Sequence, residues 1–283
     1  MLYVVATPIG NLNDITARAI STLKEVDYIL CEDTRTSKVL LRSLDINNRL
    51  ISYHKFNEKE KVDSIISDLK SGKNIALISD AGTPLISDPG YILVKEVKEK
   101  GISVIGGGGI SAFTTGLSIS GLNTDSFIFY GFFPRDKKDQ NKIVKDIKSS
   151  PINTFIFYES PKRIIKTLEF LNESILNLKI SVSKELTKLH EKNYFGELKT
   201  VIETMKSDEK IESGEYTFII EKDKNKNEEK EKITSSIEAL LIDIMIKEKV
   251  SLKQAIDILH KSQDSLSKKE IYNASLNLKD IFE

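Results

Sequence analysis

The chain has 283 residues, 40% of them hydrophobic, which suits two modest domains with real cores. Lysine plus arginine and aspartate plus glutamate both number 42, so the net charge is zero, which excludes a nucleic-acid binder held by a global positive field. A single cysteine excludes an internal disulfide and fits a reducing cytoplasm, and no apolar run approaches the ~18 residues of a membrane span. No basic stretch precedes the short apolar run at the amino terminus, so no signal peptide is expected.

The first apolar run, Leu2-Tyr3-Val4-Val5-Ala6, reads as a strand over 2–6. Thr7-Pro8-Ile9-Gly10-Asn11-Leu12-Asn13-Asp14 follows, and a helix is predicted over 15–25 with Asp14 or Asn13 as its cap. A strand over 28–32 leads into Glu32-Asp33-Thr34-Arg35-Thr36 and a helix over 36–44. A strand at 49–53 and a helix at 58–71 come next. The strand at 74–79 then runs into Ser79-Asp80-Ala81-Gly82-Thr83-Pro84-Leu85-Ile86-Ser87-Asp88-Pro89-Gly90, ahead of a helix over 91–100. A plain strand-to-helix turn needs about 2–6 residues; this connection spends twelve and fixes its shape with Gly and Pro. A strand at 103–105 and the loop Gly106-Gly107-Gly108-Gly109-Ile110-Ser111 precede a helix over 112–120. The alternation argues for a parallel sheet with helices on both faces. Four strand ends carry elaborate polar loops, where α/β proteins hold ligands.

The second half has longer connections. Strands are predicted at 127–130, 154–158, 179–183 and 215–220, with a lysine-rich helix over 137–149 and another over 162–172, suggesting a mixed sheet. Residues 222–232 are almost entirely Lys, Asp, Asn and Glu and read as a linker. Beyond it, Ser235…Glu238, Ser251…Gln254 and Ser267…Glu270 each match a capping box and predict three short helices. Residues 233–283 carry seven lysines against eight acidic residues, which gives no electrostatic reason for them to bind nucleic acid alone. The expected organisation is 1–120 and 124–222 as two α/β domains, 223–232 as a charged linker and 233–283 as a helical module.

His54, His190, His260 and Cys31 show no metal-ligand spacing, so no metal is expected. The glycine loop lacks the lysine of a phosphate-binding P-loop, and Ser111 stands where a dinucleotide fingerprint needs its third glycine.

Thr7-Pro8-Ile9-Gly10-Asn11-Leu12, Glu32-Asp33-Thr34-Arg35, the 79–90 stretch and Phe157-Tyr158-Glu159-Ser160 together resemble the ribosomal RNA small-subunit methyltransferase I family, within the tetrapyrrole-methylase superfamily. The resemblance covers nearly the whole chain in order and spacing. It implies α/β fold class: two α/β domains of the tetrapyrrole-methylase type with the cofactor in the inter-domain cleft, plus the helical module. It implies S-adenosylmethionine as cofactor and 2'-O-methylation of a cytidine ribose in the decoding region of small-subunit ribosomal RNA. By resemblance the cofactor falls to Ile9, Asp80, Ala81, Gly82, Thr83, Pro84, Ser111 and Ala112, with Tyr158, Tyr216 and Thr217 from the second domain. The chain departs from the family at 106–110, where four glycines and Ile110 replace a Pro-Gly-Pro pattern.

Methyl transfer to a ribose hydroxyl needs in-line placement and a route for the proton. Glu32 and Glu185 are the candidate bases, and Arg35, Arg163 and Lys188 the candidate substrate contacts at strand ends. Lys137, Lys138 and Lys142, on a helix with a local excess of three positive charges, are expected to track phosphates. The expected partners are small-subunit ribosomal RNA or the assembled small subunit and a second copy of the chain, in the cytoplasm, with no membrane. The alternatives are a methyltransferase acting on a small tetrapyrrole and a non-catalytic cofactor- or RNA-binding protein; the lysine-rich helix and the helical tail favour a macromolecular substrate.

Overall fold

The computed structural model describes residues 1–223, 236–262 and 268–282, the side chains at 261, 262, 269 and 279–282 excepted. The chain forms two compact units, Met1–Asp223 and Lys224–Glu283.

The first unit holds two sheets. Strands β1 (Leu2–Val4), β2 (Tyr28–Cys31), β3 (Leu50–Ser52), β4 (Ile75–Leu77) and β5 (Val104–Gly106) are all parallel, in the order β3-β2-β4-β1-β5. Helices α1 (Ala17–Glu25), α2 (Thr34–Ser43), α3 (Glu58–Lys70), α4 (Tyr91–Glu99) and α5 (Ala112–Ser118) follow the five strands in turn. The central strands β2 and β4 are buried on both faces, which is why they are apolar throughout rather than alternating. Tyr28 and Leu30 pack with Val62, Ile65 and Leu93 of α3 and α4. Their neighbours Ile29 and Cys31 point the other way, onto Ala19, Leu23 and Leu41 of α1 and α2.

The second sheet comprises β6 (Phe127–Phe132), β7 (Thr154–Glu159), β8 (Leu178–Lys184), β9 (Lys192–Glu197) and β10 (Tyr216–Lys222), in the order β6-β7-β10-β8-β9. Only the β6–β7 pair is parallel, so the sheet is mixed. Phe155, Phe157, Val182 and Phe218 face a core closed by α6 (Lys137–Ser149), α7 (Ile164–Ser174) and α8 (Leu198–Lys206). Ile156 and Ile219 face oppositely and meet Leu117 of α5 with Phe113 beside it, so the last helix of the first series packs on the second sheet.

Several boundaries differ from the sequence reading. Helix α1 starts at Ala17 because Thr16 caps it, its Oγ1 accepting the Ala19 N–H at 3.0 Å. Neither Asn13 nor Asp14 caps it; both lie in a short 3-10 turn, Leu12–Asp14, capped by Asn11. Helix α2 starts two residues early because the Asp33 carboxylate accepts the Arg35 N–H at 2.8 Å. Strand β9 and helix α8 were not foreseen. Lys192–Glu197 is an edge strand whose Lys, Asn, Gly and Glu give no strand signal. Lys222, read as the start of the linker, ends β10 instead, with its ammonium donating to the Ser150 carbonyl at 2.5 Å.

In the second unit, α9 (Ile237–Glu248), α10 (Leu252–Ser262) and α11 (Lys268–Phe282) close over Leu241, Ala255, Leu259, Ile271 and Leu278. Ser251 and Gln254 make the expected reciprocal box: the Ser251 N–H donates to Gln254 Oε1 at 3.0 Å and the Gln254 N–H to Ser251 Oγ at 3.4 Å. Helix α9 is capped by Ser236, whose Oγ accepts the Ala239 N–H; Ser235, Ser267 and the linker beyond Asp223 lie outside the described residues. Among the described residues no helix is long and apolar enough to cross a membrane.

Candidate active site

The long connection between β4 and α4 is a hub that ties together the loops at the C-terminal ends of the parallel strands. The Thr7 N–H donates to the Gly82 carbonyl at 2.9 Å and the Gly82 N–H returns to the Thr7 carbonyl at 3.0 Å. Thr7 Oγ1 donates to the Ser79 carbonyl, and Ser79 Oγ to the Gly82 carbonyl, both at 3.0 Å. Thr83 Oγ1 donates to the Ile110 carbonyl at 3.1 Å, which fixes the β5–α5 loop. The Asp33 N–H donates to the Asp80 carboxylate at 3.2 Å, which fixes the β2–α2 loop. Leu85 and Ser87, at φ of 73° and 67°, hold left-handed conformations within the hub, a strain that the surrounding bonds must sustain.

Glycine lets the fourth loop lie against the end of β1. At Gly109, with φ of 136°, a Cβ would collide with Ala6 Cβ. At Gly106 a Cβ would meet nothing within 4 Å, so four consecutive glycines are not all demanded by packing.

The second sheet meets this hub on one side. Tyr158, on β7, accepts the Phe113 N–H at 3.1 Å, and its ring lies edge-on to Phe129 and Phe132. Burial pushes its phenol up, against hydrogen bonds from Ser111 and Phe113 that pull it down. The Asn11 N–H donates to Thr187 Oγ1 at 3.2 Å, and a Cβ on Gly10 would strike the aliphatic stem of Lys188, so the β8–β9 loop seats on the first loop.

A cavity of about 470 Å³ opens at the ends of β2 and β3, bounded by Glu32, Asp80, Arg35, His54, Lys55 and Phe56. Its carboxylates interact. Burial raises Glu32, and Asp80 raises it further while His54 opposes. Asp88, on the hub loop and outside the cavity lining, is pushed up to about 7 by burial, then by Glu32 and Asp80. The raised Asp88 carboxyl keeps a proton available near neutral pH, a common property of catalytic clefts.

The expected residues divide accordingly. Ile9, Asp80, Ala81, Gly82, Thr83 and Pro84 lie on the hub or against it, Ile9 Cγ2 standing 3.3 Å from where a Gly82 Cβ would be. Ser111 caps α5 by position without a side-chain capping bond, and Ala112 follows it. Thr217 lies buried beneath Gly116 of α5, its Cγ2 3.1 Å from a Cβ placed there. Tyr216 is not brought to the hub: it is buried in the second core, with its hydroxyl donating to the Ile211 carbonyl at 2.7 Å.

Among the charged candidates, Arg35 is 90% exposed and pairs with Asp33 at 2.6 Å, which holds the Asp33 carboxyl down at about 2. Glu185 already accepts the Lys188 ammonium at 2.8 Å and the Glu215 N–H at 3.0 Å. Lys188 also pairs with Glu215 at 2.9 Å; burial lowers its basicity, but the hydrogen bonds to Glu185 and Glu215 outweigh that and raise it overall. Arg163 is drawn inward, donating to the Phe133 carbonyl at 3.0 Å and closing at 2.5 Å on Glu159, a carboxylate only 2% exposed. Lys137, Lys138 and Lys142 are exposed on α6, whose buried residues are Val144 and Ile147. Asp88, His54, Lys55 and Phe56 were given no role in the sequence reading. The Asp88 signal was present in the 79–90 stretch; that of Phe56 was an aromatic set in an otherwise polar turn.

The tetrapyrrole (corrin/porphyrin) methylase family matches residues 1–202. Curated relatives include a ribosomal RNA small subunit methyltransferase I from Halalkalibacterium halodurans, 41% identical over 96% of this chain and 93% of its own. Another of the same name, from Buchnera aphidicola, is 39% identical over 99% of this chain and 97% of its own. Among solved structures, a diphthine synthase superposes with a TM-score of 0.61 over 78% of this chain and 89% of its own, at 14% identity. A uroporphyrin-III-C-methyltransferase from Thermus thermophilus gives 0.53 over 78% and 93%, at 15% identity. At such identities these two structures speak to the fold alone.

Proposed function

The chain belongs to the ribosomal RNA small-subunit methyltransferase I family of the tetrapyrrole methylases, and on that premise we propose that it methylates the ribose 2'-oxygen of a cytidine in the decoding region of small-subunit ribosomal RNA. It is a methyltransferase, and S-adenosylmethionine is its methyl donor. The observation that supports the site assignment is the hub: one loop, 79–90, bonded to the three other loops at the ends of β1, β2 and β5.

The residues present suit that cofactor. Its α-ammonium and ribose hydroxyls need acceptors, and its adenine needs an apolar slot. Asp80 offers an exposed carboxylate, Ser111 a hydroxyl, and Ile9 an apolar wall against Gly82. The cofactor supplies a methyl group activated by a sulfonium leaving group. Ile9, Asp80, Ala81, Gly82, Thr83, Pro84, Ser111 and Ala112 would hold it, with Tyr158 bordering the cleft from the second sheet; Thr217 would act through α5, and Tyr216 would act only as core.

Glu32 is the proposed general base. Burial and Asp80 raise its carboxyl, so it takes a proton more readily than an ordinary glutamate, whereas Glu185 is already engaged by Lys188 and the Glu215 backbone. Arg35 stands exposed beside Glu32 to meet a phosphate, and Lys137, Lys138 and Lys142 are proposed to extend that contact. Domains at 1–120 and 124–222, homodimerisation and a cytoplasmic location are part of the same proposal. The test is labelled methyl transfer onto isolated small subunits and onto naked small-subunit RNA, with the modified nucleoside identified by mass spectrometry. A 2'-O-methylcytidine in the decoding region is expected; label on a base, or on a tetrapyrrole in preference to RNA, overturns the proposal.

A further inference from the structure

The turn between β3 and α3 is built to hold an aromatic ring in water. The His54 carbonyl accepts the N–H groups of Asn57 and Glu58, both at 3.0 Å, and Asn57 Oδ1 accepts the His54 N–H at 2.9 Å. Lys61 clamps the base of the turn by donating to the Ser52 carbonyl at 2.7 Å. At the tip of this braced turn Phe56 is 95% exposed, its only ring neighbour among the described residues being the edge of His54 at 6.0 Å. Leaving a phenyl ring out of a core forgoes a large hydrophobic gain. A rigid turn that presents one is a preformed stacking surface.

The chemistry around the ring is graded. Glu32 and Asp80 line the 470 Å³ cavity with acceptors, and Lys55 and the 90%-exposed Arg35 guanidinium, paired on one edge with Asp33, also border it. Carboxylates suit hydroxyl donors and repel phosphate; exposed cations suit phosphate; an aromatic face suits a base of any sequence. One unit of single-stranded RNA carries all three groups. Asp80 belongs both to this cavity and to the loop hub, so an occupant of the cavity lies beside whatever the hub binds.

We propose that this cavity receives the acceptor nucleotide, with its base stacked on Phe56, its ribose hydroxyls facing Glu32 and its flanking phosphates on Lys55 and Arg35. The assignment rests on the reading of the chain as an RNA methyltransferase and names the substrate side of that site.

The chain contains no tryptophan, so Phe56→Trp installs a single indole reporter at an exposed position that does not disturb a core. A short single-stranded RNA is expected to quench it, the DNA of the same sequence to quench it less, and S-adenosylmethionine alone to leave it unchanged. Phe56→Ala is expected to raise the KM for small-subunit RNA by about 5- to 150-fold, the range of one lost base stack, with the S-adenosylmethionine Kd from calorimetry unmoved. Quenching by S-adenosylmethionine alone would assign the cavity to the cofactor and overturn the proposal. So would an indole that RNA leaves unquenched in F56W together with a wild-type KM in F56A, which would leave the ring to a protein partner. Wild-type protein that transfers no methyl to small-subunit RNA overturns the underlying reading, whereas transfer by wild type with an unmoved F56A KM overturns only the role of Phe56.

Discussion

The Asp80 carboxylate accepts the backbone N–H of Asp33 at 3.2 Å, and through that one bond the loop after β4 is fixed to the loop after β2. Asp80 therefore caps neither its own helix, α4, whose N-cap is Gly90, nor a plain turn. Its remaining oxygen lone pairs stay exposed to a ligand. Asp80→Ala is expected to weaken S-adenosylmethionine by about 1.5–3 kcal/mol, the loss of a hydrogen bond to a charged group. Isothermal titration checks this, and an unchanged Kd with a lowered Tm would mean that Asp80 serves only to hold Asp33.

Asp88 gives the stability of the fold a pH dependence of known sign. Its carboxyl is raised to about 7 by burial, Glu32 and Asp80, above the ~3.9 of an unfolded aspartate. Between these values the folded state holds the proton and the unfolded state releases it. Asp88 thus favours folding fully below about pH 4 and loses that contribution as pH rises through about 7. Asp88→Asn is expected to flatten the fall of Tm from pH 4 to 7 and to melt higher than wild type at pH 8. Parallel melting profiles for the two proteins would rule out burial of a raised carboxyl.

Much of this site was legible because its loops are local. The 79–90 stretch announces itself by length and by Gly and Pro at fixed positions, and β4 before it is uniformly apolar because both of its faces are buried. What the sequence did not disclose depends on distant partners. Arg163 looks like a cation at a strand end, but the fold turns it onto Glu159 and the Phe133 carbonyl, thirty residues away. Tyr216 looks like a strand-end ligand contact, yet the pleat directs it into the second core. Strand β9 was invisible because an edge strand need not be apolar on either face.

The Arg163–Glu159 pair yields a stability prediction distinct from any RNA role. Glu159 also accepts Thr167 Oγ1 at 2.7 Å and the Ser160 N–H at 2.6 Å, and its side chain is fully shielded. Arg163→Ala removes the counter-charge and is expected to destabilise by about 3–5 kcal/mol. Urea denaturation checks it, with Glu159→Gln added to R163A expected to recover part of the loss. A stable R163A with weakened RNA affinity would instead return Arg163 to the substrate.

Two glycines three residues apart, Gly106 at the end of β5 and Gly109 in the β5–α5 loop, are expected to respond with opposite signs. Gly106 has open space and no positive φ, so Gly106→Ala is expected to stabilise by about 0.4–1 kcal/mol through the unfolded chain. Gly109 combines φ of 136° with a Cβ position that collides with Ala6, so Gly109→Ala is expected to cost at least about 1–3 kcal/mol and to weaken cofactor binding by displacing the loop. Equal Tm shifts for the two variants would show that the loop relaxes freely.

The last prediction concerns how a chain of zero net charge holds RNA. No global field draws the substrate in, so phosphate contacts must come from local cations. Helix α6 anchors itself by Val144 and Ile147 and leaves Lys137, Lys138 and Lys142 exposed, so neutralising the three does not touch its core. Each phosphate contact contributes about −0.7 to −0.9 to the slope of log affinity against log salt. Replacing all three lysines by glutamine is expected to flatten the measured slope by about 2 and to weaken small-subunit RNA at low salt, while S-adenosylmethionine binds as in wild type. The control is the same titration with Arg35→Gln, whose single exposed guanidinium is expected to remove about one unit of slope. A slope unchanged in the triple variant but reduced in R35Q would place the RNA at the cavity mouth alone and leave α6 as a solvated face.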